Sequence, residues 1–140
     1  MATPNAFNGL TLLSALFIIN QTMEKTKIGQ TVPQLPVADV EKAQVYYRDI
    51  LGFEILWIYP DDGKYIGAVT RGDSTVFLAK TNKAIEPVIH WIFAENVDAT
   101  YAELKERGAE IIEDIEDKPW NTRQFTVRDL DGHIYYIHHG

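Results

Sequence analysis

The chain carries an internal echo, and a chain built from two copies of one unit must fold as two like modules. The stretch Val37-Ala-Asp-Val-Glu-Lys-Ala-Gln-Val-Tyr-Tyr-Arg-Asp-Ile-Leu-Gly52-Phe-Glu-Ile55 finds its counterpart in Ala94-Glu-Asn-Val-Asp-Ala-Thr-Tyr-Ala-Glu-Leu-Lys-Glu-Arg-Gly108-Ala-Glu-Ile111. Val40 aligns with Val97 and Gly52 with Gly108. Each copy reads as a strand, a polar cap (Asp39, Asn96), an amphipathic helix, a glycine stop and a further strand. Extended pieces are expected at 31–37, 53–59, 65–70 and 75–79 around helix 40–51, and at 88–94, 110–113, 123–128 and 134–138 around helix 97–107. Turns fall at Pro60-Asp-Asp-Gly63, Arg71-Gly-Asp-Ser74 and Asp129-Leu-Asp-Gly132, and 80–87 links the halves.

The fold class is therefore α+β, one domain over 31–140 made of two βαβββ modules, 31–80 and 88–140. Residues 1–30 form an N-terminal extension expected to be helical. Its apolar run Gly9–Ile19 is shorter than the roughly twenty residues a membrane span needs, so no span is expected. No Lys or Arg precedes the run and no small-residue cleavage site follows it, so it does not read as a secretion signal, and a cytoplasmic location is expected. The run reads as a helix packing on the domain or on a second subunit; the alternative is a natural start at Met23.

A net charge of −7 excludes the basic stripe that phosphate neutralisation needs, so no nucleic-acid partner is expected and a cationic ligand is favoured. With no cysteine there is no disulfide, thiol nucleophile or thiolate metal site. No Gly-x-Ser-x-Gly elbow or phosphate-cradling loop occurs, and no spacing singles out Glu54 or Glu95 as an acid or base. The carboxylate runs Asp61-Asp62 and Glu113-Asp114…Glu116-Asp117 read as solvated turns or strand ends. No catalytic residue is assigned.

Three stretches, Leu35-Pro-Val-Ala-Asp-Val-Glu-Lys-Ala…Tyr47-Arg-Asp-Ile-Leu-Gly-Phe53, Asn96-Val-Asp-Ala…Leu104-Lys-Glu-Arg-Gly108 and Pro119-Trp…Arg123-Gln-Phe-Thr-Val-Arg-Asp-Leu-Asp-Gly132, give the chain its family likeness. It resembles the vicinal oxygen chelate superfamily of glyoxalases, extradiol dioxygenases and bleomycin resistance proteins. The resemblance implies a curled mixed sheet forming a cup, helices outside, ligand within, in a homodimer. It also implies a divalent metal held from four cup-facing positions, which in this sequence are Val32, Phe77, Ile89 and Tyr136. Three carry no donor, and a neutral phenol is a poor ligand for hard divalent ions. No metal and no cofactor are expected. Strand alternation turns Ile89, Trp91 and Phe93 to the cup and His90 to the helices as a hydrogen-bonded histidine. His133 falls in a turn, and His138 and His139 at the last strand's end.

The expected ligand-binding residues are Gln34, Trp57, Phe77, Trp91, Phe93, Trp120, Tyr136 and His138, an aromatic wall with a few orienting polar groups. Closest are the metal-free, bleomycin-resistance-like members, which sequester an amphipathic, aromatic or cationic small molecule. The alternatives are a glyoxalase- or dioxygenase-like enzyme with an atypical metal site, and an interaction module whose cup is filled by its own aromatics.

Overall fold

The computed structural model describes residues 11–140, which fall into two compact units, one ending at Thr31 and one running from Val32 to Gly140. The expected helical extension over residues 1–10 lies outside the described residues. In the first unit, α1 (Leu12–Thr22) starts where the Thr11 side chain accepts from the Ser14 amide.

The second unit holds β1 (Gln34–Val37), α2 (Val40–Asp49), β2 (Glu54–Tyr59), β3 (Ile66–Arg71) and β4 (Ser74–Lys80). It continues with β5 (Ile89–Phe93), α3 (Val97–Arg107), β6 (Glu110–Asp117), β7 (Arg123–Arg128) and β8 (Ile134–His139). The duplication is thus a βαβββ unit used twice. Both helices start on a side-chain cap, Asp39 accepting from the Lys42 amide and Asn96 from the Ala99 amide. Both are followed by a left-handed glycine, Gly52 at φ 73° and Gly108 at φ 90°, a conformation that side chains with a Cβ resist.

The two mixed sheets have matching strand orders, β1-β4-β3-β2 and β5-β8-β7-β6, with the first strand parallel to the last in each. Even the register is copied. Gln34, Phe77, Ala68 and Trp57 stand in one row across the first sheet. Trp91, Tyr136, Thr126 and Glu113 form the same row in the second. The offset that aligns Val40 with Val97 also aligns Gln34 with Trp91. Each sheet is bulged at the same place, between Ile55 and Trp57 and between Ile111 and Glu113.

One face of each sheet is sealed by helices, and both sealed faces feed one core. Leu35, Val37, Val69, Val76 and Leu78 of the first module cluster with Phe125, Val127, Tyr135 and Ile137 of the second, around Val40, Tyr47, Val97 and Leu104. Burying such a side chain stabilises by about 1.5–3 kcal/mol.

A polar joint crosses the same interior. The fully buried Tyr47 hydroxyl donates to Asp129 Oδ2 at 2.5 Å, so the 2.9 Å bond between the two phenols must be donated by Tyr135. Burial, then the neighbouring Tyr135 and Asp129, raise the Tyr47 pKa well above its ordinary value. Asp129 Oδ1 also accepts from the amides of Asp131 and His133. His133, expected in an ordinary turn, is fully buried. Its Nδ1 accepts from the Val88 amide at 3.0 Å, which puts the proton on Nε2, and Nε2 donates to the Pro36 carbonyl at 2.7 Å. The turn of the second module thereby grips the first strand of the first.

Candidate functional site

With the helix-covered faces turned into the core, the opposite face of each sheet is open. Strand alternation decides what lies there. On β5 the exposed residues are Ile89, Trp91 and Phe93, while His90 and Ile92 are less exposed and point toward the helices. On β8, Tyr135 and Ile137 are buried and Tyr136 and His138 fall on the open side.

The expected ligand residues gather in two groups, one per sheet. On the first sheet, Gln34 pairs with Phe77, and Trp57 meets the Phe77 ring edge-on at 5.2 Å. On the second, Trp91 stacks on Tyr136 at 4.7 Å and 29° and meets the His138 edge at 5.6 Å, with Phe93 6.0 Å from His138. Trp91 is 55% and Phe93 61% exposed, although such rings bury themselves when they can. Trp120 follows β6, its Nε1 donating to Gln124 Oε1 at 3.2 Å. Among the described residues no aromatic pair joins the two groups. An exposed apolar face of this kind is a candidate binding surface.

The bulges aim residues onto these faces. On the first sheet, the buried Gln44 of α2 donates from Nε2 to the carbonyls of Trp57 at 2.8 Å and Ala68 at 3.3 Å, answering the carbonyls that the bulge disturbs. On the second, the equivalent bulge presents Glu113, whose Oε1 accepts from the buried Thr126 hydroxyl at 2.8 Å.

Two sequence expectations need correction. In the run Glu113-Asp114…Glu116-Asp117, Glu116 and Asp117 are a strand end as expected, but β6 extends to Asp117 and so places Glu113 inside the strand, in the open row of the second sheet. The register of the repeat could have found it, since Glu113 is the counterpart of Trp57. His90 does lie on the helix-facing side, but neither ring nitrogen has a hydrogen-bond partner. It is held by stacking on Tyr135 at 4.8 Å, and burial pushes its pKa down. His138 Nδ1 is also shielded and without a partner.

The positions where the resemblance implies a metal hold two aliphatic side chains, a phenyl ring and the Tyr136 phenol, whose ring is stacked on Trp91. That donor set does not fit a divalent ion. Among the described residues no group of three or more His, Asp and Glu side chains comes together as a metal site. A depression of about 300 Å³ is lined by the charged residues Glu103, Glu106 and Arg107, and Glu103 is engaged by Arg71 at 2.6 Å and Arg107 at 2.8 Å.

A pair of βαβββ modules, each with one sealed and one open face, defines the class of fold. The model of the Glyoxalase/Bleomycin resistance protein/Dioxygenase superfamily matches residues 27–135, and the chain belongs to that family. Among solved structures, TioX from Micromonospora sp. ML1 is similar in fold, with a TM-score of 0.71 at 24% identity over 79% of this chain and 98% of that one. TnmS3, an antibiotic binding protein from Streptomyces sp. CB03234, gives 0.67 at 26% identity over 82% and 98%. A glyoxalase-related enzyme from Clostridium phytofermentans gives 0.70 at 21% identity over 84% and 99%. No protein of curated function matches the chain.

Proposed function

We propose that the protein binds a planar or amphipathic small molecule on its open aromatic faces, without a metal, as a binding protein of the bleomycin-resistance type. The observation that carries this is the Trp91–Tyr136 stack, with Trp91 solvent-exposed and Tyr136 half-buried, on a face whose strands could have carried polar residues instead. That TnmS3 is an antibiotic binding protein supports the same class of ligand. The binding unit is a homodimer: in one chain the sealed faces share a core, so a second copy supplies the wall that would cover an open face. Among the described residues no helix is long and apolar enough to cross a membrane.

Thermal unfolding against two panels tests this, one of divalent metals and one of aromatic and amphipathic compounds, since a ligand that binds the native state raises the melting temperature. A rise with an organic compound in the presence of chelator is expected. A rise with a metal alone would return the chain to the metal-dependent enzymes of its family.

A further inference from the structure

The open row of the second sheet carries a charge where the matching row of the first, Gln34, Phe77, Ala68 and Trp57, has none. In its row, Glu113 stands three strands from Trp91, where the first module has Trp57. The carboxylates of β6 are not equally engaged. Glu110 is taken by Arg128 at 2.6 Å and Glu116 by Lys118 at 2.5 Å. Glu113 accepts from the Thr126 hydroxyl at 2.8 Å and pairs more loosely with the Lys118 ammonium, at 3.8 Å. Glu113 is therefore the more loosely paired of the two carboxylates beside Lys118, and its side chain is 49% exposed.

Lys118 shows what these surroundings accept. Its side chain is 13% exposed, and its ammonium lies between two carboxylates and 5.7 Å from the centroid of the Trp120 ring. Carboxylate and indole face together are the setting in which an organic cation is held. In the adjoining row, His138 Nδ1 is shielded from water and has no partner among the described residues, so the same face offers a second unmet polar group.

We propose that Glu113 is the specificity-determining residue of this face, pairing with an ammonium or guanidinium group of an aromatic cation whose ring lies on Trp91 and Tyr136. Lys118 is then a tethered cation that the ligand's charge displaces from Glu113. This rests on the open faces being the ligand site, as proposed above. Three inter-strand spacings separate ring and charge, roughly 14 Å of backbone, so the ligand's cation sits at the end of an arm and not on the ring itself.

The test uses the full chain and three probes, a naphthyl ring joined by an alkyl arm to a primary ammonium, to a hydroxyl, or to a carboxylate, with binding followed by tryptophan fluorescence. The ammonium probe is expected to bind tightest and to weaken with added salt. Glu113→Gln is expected to weaken the ammonium probe roughly fivefold, the scale of a solvent-exposed ion pair, and to leave the hydroxyl probe unchanged. Lys118→Met is expected to strengthen the ammonium probe. Equal binding of ammonium and hydroxyl probes, or an ammonium affinity indifferent to Glu113→Gln, overturns the role of Glu113 while leaving the aromatic site standing. An ammonium affinity unchanged or lowered in Lys118→Met overturns the displacement. Binding of no probe overturns the ligand-face reading itself.

Discussion

The two modules share strand order, register and even the position of a bulge, yet hardly one residue of their open rows. Gln34, Phe77, Ala68 and Trp57 answer to Trp91, Tyr136, Thr126 and Glu113. The turn before the last strand diverges as well. In the first module it is Gly72-Asp73; in the second it is Asp129–His133, long enough to reach back and bond Pro36 of β1 and Ala38 just beyond it. Duplication preserved what makes the modules fold. The differences between copies are where one became the clasp and one acquired charge.

If the longer turn is the clasp, breaking it should have the largest effect. Asp129→Ala strips the Tyr47 hydroxyl and two amides of their acceptor and is expected to destabilise by about 3–5 kcal/mol, read from the urea midpoint. A loss under about 1 kcal/mol would mean that the apolar core alone joins the modules.

The bulges give the next comparison. Gln44 and Tyr101 occupy the same repeat position, but Gln44 is buried and bonds two carbonyls, whereas the Tyr101 hydroxyl meets Asp114 at an exposed site. Gln44→Leu leaves those carbonyls unanswered and is expected to cost about 2 kcal/mol. Tyr101→Phe should cost no more than about 0.5 kcal/mol. Equal costs would show that the bulge of the first module does not depend on Gln44.

On the open faces the expected loss is of binding and not of folding. Trp91→Ala should lower affinity for an aromatic ligand about tenfold, since stacking and burial of an indole face are together worth about 1–2 kcal/mol. Its unfolding midpoint should move little, because Trp91 is already exposed. Unchanged affinity would move the site to the first sheet.

Much of this was legible in the sequence because repetition doubles every local signal. Asp39 and Asn96, Gly52 and Gly108, and the alternation of Ile89-His-Trp-Ile-Phe93 each mark an element without help from tertiary structure. Glu113 was missed because a bulge breaks the alternation by which a strand is recognised, so β6 read as ending where it shifts register. The burial of His133 was missed because its partners, Val88 and Pro36, lie far off in the chain, and no local pattern announces a long-range hydrogen bond.

The smallest expected effect separates the two buried-side histidines. His133 has its ring bonds met, whereas His90 has none and rests on the Tyr135 ring, facing His133 and Asp129. Burial, followed in weight by the nearby His133, depresses the His90 pKa below its ordinary 6.5. The unfolded chain therefore takes up a proton at a higher pH than the folded one. The contribution of His90 to stability is complete above pH 6.5 and is lost as pH falls from there through the folded value. Asp131 acts in the opposite sense and from a lower pH, burial raising its carboxyl above 3.8. His90→Phe keeps a ring to stack on Tyr135 and removes the titration, so its unfolding midpoint should fall less than that of the parent between pH 7 and 5. Parallel pH profiles for parent and variant would place the titration elsewhere, and would leave His90 a packing residue alone.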